Sequence, residues 1–104
     1  MPIVDASSSD PAPEGDPLEL KAISRRNHLL GLWAAEKMGL NADQGEAYAR
    51  AVERAHTERP SEEDVIRKVL GDLVASKVQV REGEVRTKAA EFLAQAREAL
   101  KSAG

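Results

Sequence analysis

From residue 17 onward, apolar side chains recur at intervals of three and four, the spacing of a single helix face, in four blocks separated by turn residues. The first block places Leu20, Ile23, Leu30, Ala34 and Met38 on one stripe. Asp16 and Pro17 precede it as a cap and a proline at the first helical position, where a missing N–H costs nothing, and Gly39 follows it with the freedom a left-handed cap needs. Asn41 with Gln44 three residues on is a capping box opening a second helix after a very short turn. Two helices joined so tightly are expected to pack as an antiparallel hairpin. The alanine-rich inner face predicted for the second is Ala47, Tyr48, Ala51, Val52 and Ala55, ending before Pro60. Ser61-Glu62-Glu63-Asp64 reads as another capping box, ahead of Val65, Ile66, Val69, Leu70, Leu73 and Val74, with its acids in the positive first turn. The fourth block carries Val85, Ala89, Phe92, Leu93, Ala96, Ala99 and Leu100, with Glu82/Arg86 and Glu84/Lys88 predicted as supporting pairs one turn apart.

This pattern predicts an all-α fold, a four-helix bundle over residues 17–104 with helices at about 17–38, 42–57, 61–75 and 82–102. Residues 77–81 alternate as a strand would, but a lone strand has no partner, so they are read as an ordered loop. Residues 1–16 hold three of the five prolines and the run Ser7-Ser8-Ser9, which predicts a disordered, acidic, Pro/Ser-rich N-terminal tail. Within the first helix, Leu29, Leu32 and Trp33 spread well away from the main stripe. Either that helix sits centrally against the other three, or part of it faces another protein. Trp33 is the expected core residue. Gly31, costly in a helix interior, suggests a close helix approach.

Composition narrows the picture further. The chain has 104 residues, 41% hydrophobic but only 3% aromatic, so its core must be aliphatic. The net charge is −3, and the first 20 residues hold Asp5, Asp10, Glu14, Asp16 and Glu19 with no Lys or Arg, so the remainder is mildly basic. That balance argues against nucleic acid as a partner. There is no cysteine, which removes disulfides and thiolate chemistry. No stretch approaches the roughly 18 apolar residues of a membrane span, and the start resembles no export signal, so direct membrane insertion is not expected and the cytoplasm is the expected location.

The search for chemistry finds little. Glu53 and His56 have the Glu-x-x-His spacing of bundle metal sites, but such a site needs a second copy and two more inward glutamates, so no metal ligand is assigned. His28 has Arg25, not a carboxylate, at that distance. No phosphate loop, dinucleotide fingerprint, nucleophile elbow or His-Glu-x-x-His occurs, so no catalytic residue and no enzyme activity are expected. The basic group Arg25, Arg26, His28 and Lys37 could hold a phosphate or an acidic surface, or it could be a solvated helix face.

The run Arg25-Arg26-Asn27-His28-Leu29-Leu30-Gly31-Leu32-Trp33-Ala34-Ala35-Glu36-Lys37-Met38-Gly39-Leu40 resembles the signature of the ATPase-inhibitor zeta subunits of α-proteobacteria. The likeness continues more loosely through Ala47-Tyr48-Ala49, Glu63-Asp64-Val65, Arg67-Lys68-Val69 and Val85-Arg86. It implies a four-helix bundle, monomeric when free, that binds the catalytic F1 head of the F-type ATP synthase and blocks ATP hydrolysis. It thereby implies a location peripheral to the inner membrane through that enzyme. A helix wedged between moving subunits would hold one state of a rotary head without any active site of its own. In the family the wedge is a charged N-terminal segment with spaced phenylalanines. Here residues 1–16 have no Phe, Arg or Lys, and prolines at 11 and 13 would interrupt a helix, so weak or lost inhibition stands beside inhibition as an expectation. Leu18, Leu20, Arg25 and Arg26 are the nearest candidates to touch the ATPase. The resemblance also implies ATP or ADP as a possible ligand, for which Arg25, Arg26, His28 and Lys37 are the candidate residues; an adenine-nucleotide-binding module without inhibition is the alternative function.

Overall fold

The computed structural model describes residues 16–58 and 61–103. The expected disordered tail falls almost wholly on residues 1–15, outside the described residues, as does the helix stop at Pro60. Four helices follow in order: α1 (Pro17–Lys37), α2 (Ala42–Glu58), α3 (Glu62–Ala75) and α4 (Glu82–Ala103), with no strand among the described residues. The all-α fold read from the sequence is thus present.

Local chemistry sets the ends of these helices. Asp16, extended at φ −64° and ψ 120°, accepts the Leu18 N–H at 2.9 Å, and Pro17 stands inside it at the first helical position. At the other end of α1, Gly39 takes φ 77°; its N–H reaches the Glu36 carbonyl at 3.1 Å while the Leu40 N–H reaches Ala35 at 3.0 Å, closing a Schellman cap. The Asn41/Gln44 box forms reciprocally, with the Asn41 N–H on Gln44 Oε1 at 3.0 Å and the Gln44 N–H on Asn41 Oδ1 at 2.8 Å.

One expectation about the ends needs correction. Ser61 has the extended backbone of a cap, but its hydroxyl makes no capping bond, and its carbonyl takes the Asp64 and Val65 N–H groups instead. The stop of α3 is a second Schellman cap, with Val78 N–H on Leu73 and Lys77 N–H on Val74, both at 2.9 Å. Lys77 occupies the left-handed position at φ 64°, where a glycine would have announced it. Residues 78–81 then run as a loop whose Val78 and Val80 pack on the core.

Helix α1 is the centre of the assembly: it packs against α2, α3 and α4, whereas α2 and α4 do not meet among the described residues. Leu30, Val52, Ile66, Val69, Leu73 and Val85, drawn from all four helices, are at most 1% exposed. Gly31 permits the tightest approach: a Cβ there would lie 2.7 Å from the Ala49 Cα. The inner face of α2 is accordingly Gly45, Ala49 and Val52, while Ala47 is exposed and Ala51 half-buried. Trp33, expected in the core, is half-buried at its edge, with the Lys37 ammonium 5.3 Å from its ring centre. Val74, expected on the α3 stripe, is 58% exposed.

Polar ties between helices sit around this core. The Tyr48 hydroxyl of α2 donates to Asp72 of α3 at 2.7 Å, and burial together with that carboxylate pushes the phenol well above its ordinary range. Arg86 of α4 pairs with Glu82, as its spacing predicts, and reaches across to Glu63 of α3. Glu84 does not meet Lys88; it faces Lys37 of α1 at 3.7 Å, and Lys88 turns to Glu91 at 3.2 Å.

The Glu63–Arg86 tie makes stability pH-dependent in a defined sense. The hydrogen bond from Arg86 holds the Glu63 carboxyl below its ordinary range, so the folded chain takes up that proton less readily than the unfolded one. The contribution is present above the unfolded Glu value and disappears as the pH falls through the folded one. A Glu63→Gln variant is therefore expected to show a lower urea midpoint than the native chain at pH 7, with the difference shrinking as the pH falls through and below the ordinary carboxylate range. A difference that persists in acid would contradict this assignment.

Candidate functional site

The exposed leading end of α1 and the outward side that continues it form the candidate site. At 100° per residue, Leu18, Lys21, Arg25, Leu29 and Leu32 fall within about 80° of one another, on the side turned away from the other helices. Leu18 is 60% exposed and Leu32 37%, while Leu29 is half-buried. Lys21 and Arg25 are exposed and make no ion pair or hydrogen bond among the described residues. Leucines flank a pair of exposed cations here, on a helix held rigid by its own core face. Such a surface suits an apolar partner surface bearing carboxylates. Leu20 is also exposed, at 42%, but projects on nearly the opposite side of the first turn.

One face of this stripe opens into a groove lined by Lys21, Ser24, Arg25, His28, Leu29 and Glu53. At its floor α1 and α2 are tied together. The Ser24 hydroxyl donates to Glu53 at 2.9 Å, and the His28 ring lies between Glu53, 2.7 Å from Nδ1, and Glu46, 3.2 Å from Nε2. Glu53 therefore serves His28 and Ser24, and the side chain of its sequence neighbour His56 lies outside the described residues. No group of three His, Asp or Glu among the described residues stands close enough to hold a metal ion.

The candidates named from the sequence separate in space. Arg25 and His28 share the groove. Arg26 requires correction as a surface contact: it is 2% exposed, its Nε donates to Asn27 Oδ1 at 2.7 Å, and its guanidinium faces Glu62 of α3 at 3.6 Å. Burial pushes that guanidinium down from its ordinary value, with Glu62 opposing the shift. Lys37 lies at the far end of α1 beside Glu84 and Trp33. The four basic residues thus do not converge on one point.

Sequence reasoning missed Asn27, fully buried next to Arg26, and the Glu19–Arg97 pair at 2.6 Å that fastens the start of α1 to α4. Arg26 and Asn27 read as surface residues by type, and only the central position of α1 buries them. Glu19 and Arg97 are 78 positions apart, a separation that no local pattern signals.

The family profile described as ATPase inhibitor subunit zeta matches residues 14–99. A protein solved by solution NMR is 42% identical, with a TM-score of 0.71, over 84% of this chain and 99% of that one. No curated protein matches. The family match takes in all of α1 to α3 and most of α4, and it begins at Glu14, so residues 1–13 lie outside it.

Proposed function

The chain belongs to the ATPase inhibitor zeta-subunit family, and from that membership we propose that it binds the catalytic F1 head of a bacterial F-type ATP synthase as a regulatory subunit. It acts without catalysis of its own. The supporting observation is that the matched region opens on the exposed start of α1, where the Leu18 side chain is 60% exposed and the Arg25 guanidinium makes no ion pair or hydrogen bond among the described residues. Docking there places a rigid, anchored helix against the head, and a helix seated between subunits that must move restrains the conformational cycle. No helix among the described residues is long and apolar enough to cross a membrane, and association with the synthase would hold the protein at the membrane indirectly.

The degree of inhibition is set by residues 1–13. They carry Asp5 and Asp10 and no Phe, Lys or Arg, so binding stronger than inhibition is the expected behaviour. The test of the docking surface is a pair of exposed-residue variants, Leu18→Glu and Arg25→Glu, measured for binding to the purified head. Each is expected to weaken binding by about tenfold or more while leaving the thermal midpoint of the bundle unchanged. Binding equal to that of the native chain would place the contact elsewhere.

The groove beside Arg25 favours a second reading, an adenine nucleotide held by Lys21, Arg25 and His28. Saturable amide shifts confined to those residues on addition of ATP or ADP would support it, and their absence at millimolar nucleotide would remove it.

A further inference from the structure

The leading end of α1 begins the outward stripe, yet the core does little to hold it. Within its first two turns, residues 17–23, Ala22 is the one buried residue. Helix α3 gives no support there: it begins beside Arg26, where Glu62 stands 3.6 Å from Nη1, and runs away from the leading end, so that its Asp72 meets Tyr48 level with Gly31. Toward α2 the first tie among the described residues comes at Ser24, which donates to Glu53. Toward α4 the packing is open, with a shallow recess of about 170 Å³ between Leu18, Ala22 and Leu100. What closes that side is Arg97, whose Nε and Nη2 donate to the two carboxylate oxygens of Glu19 at 3.2 and 2.6 Å.

An isolated surface ion pair contributes little, because two long side chains must be immobilised and water screens them. The Glu19–Arg97 pair differs in two respects. Its contact is a two-pronged fork from a planar guanidinium, and the Glu19 side chain is only 17% exposed. It also belongs to a network drawn from three helices, in which Glu62 of α3 attracts Arg97 and Glu19 attracts the buried Arg26 cation. Networks and two-pronged geometry are the conditions under which a surface pair holds structure in place.

We propose that Glu19 and Arg97 are positioning residues for the docking face: the pair keeps the first two turns of α1 helical and aligned on α4, so that Leu18, Lys21 and Arg25 stand in fixed order before the head is met. The effect on docking rests on the function proposed above, whereas the ordering of the leading end does not. Without the pair, those turns are held by an N-cap and one buried alanine, and they fray. Docking then has to order them first, which weakens affinity although neither residue belongs to the outward stripe.

The test is a double-mutant cycle on the full-length chain, with Glu19→Gln, Arg97→Gln and both substitutions together, read first by amide hydrogen exchange without any ATPase present. Each single variant is expected to lower the protection of the amides from Leu20 to Ser24 by about fivefold or more while leaving Leu30 to Ala35 unchanged, and the double variant to lose no more than either single one. Unchanged protection at the leading end, loss spread evenly through all four helices, or a double loss equal to the product of the single losses would overturn the pair's hold on α1. Binding to the purified head reads the positioning role. All three variants are expected to bind several-fold more weakly than the native chain, and by the same factor. Native affinity in the variants would overturn that role, and so would a loss on Arg97→Gln that Glu19→Gln does not share, since it would make Arg97 a direct contact. Failure of the native chain to bind would count against the proposed function, and the exchange result would still judge the pair.

Discussion

Valine at position 31 is expected to cost the fold about 3 kcal/mol, near the upper end of what overpacking one site does. Gly31 lies where α1 crosses α2, and even a single Cβ would stand 2.7 Å from the Ala49 Cα, 3.2 Å from the Ala49 Cβ and 3.3 Å from Val52 Cγ2. The nearest of these is backbone, so relief requires α2 to move as a unit. Alanine at the same position isolates the two opposing effects. It gains about 1 kcal/mol of helix propensity and loses more to the clash, so Gly31→Ala is expected to be destabilised by roughly 1 kcal/mol net. Urea unfolding of both variants checks the order. A Gly31→Ala chain more stable than the native one would mean that α1 and α2 separate without penalty and that their contact is loose.

The second large effect is at Leu30, which is 0% exposed on the central helix and is expected to lose about 3 to 4 kcal/mol when cut to alanine. For a domain of this size that corresponds to a fall in thermal midpoint of roughly 15 to 25 °C. Trp33 supplies the contrast. Its side chain is larger, yet it is only half-buried and one face carries the Lys37 ammonium, so Trp33→Ala is expected to cost about half as much as Leu30→Ala. Parallel thermal and urea unfolding of the two variants decides the point. A Trp33 loss equal to or greater than that at Leu30 would place the indole in the core after all.

The contrast marks what the sequence could and could not convey. Helix ends governed by neighbours in the chain were legible: Asp16-Pro17, Gly39 and the Asn41/Gln44 box each act within a few residues, and each does in the structure what its chemistry requires. Gly31 was legible for a related reason, since a glycine inside a good helix needs a neighbour close enough to justify it. Lys77 was not, because the residue most often found in a left-handed cap was missing and only the Schellman bonds to Val74 and Leu73 reveal it. The face of α2 was only partly legible: Val52 lies on it as expected, but Gly45 and Ala49 are buried where Ala47 was expected, because in an alanine-rich helix small residues lie on every side and give no direction.

The site was partly legible on the same terms. Leu18 and Arg25, named for their place at the start of the first helix, project outward, whereas Arg26, one position on, turns 100° into the junction with α3 and meets Glu62. Residue type alone would have kept both arginines at the surface. What buries Arg26 is that α1 has neighbours on three sides, a property of the whole assembly.

The most direct measurement of the central claim is a titration of the purified chain into the catalytic head of the F-type ATPase from its own source, with co-elution and ATP hydrolysis recorded on the same samples. The account predicts stoichiometric co-elution that depends on Leu18 and Arg25, with hydrolysis slowed less than the occupancy of the head. No co-elution at any concentration, with the bundle shown to be folded, would contradict it and would mean that this fold serves another partner.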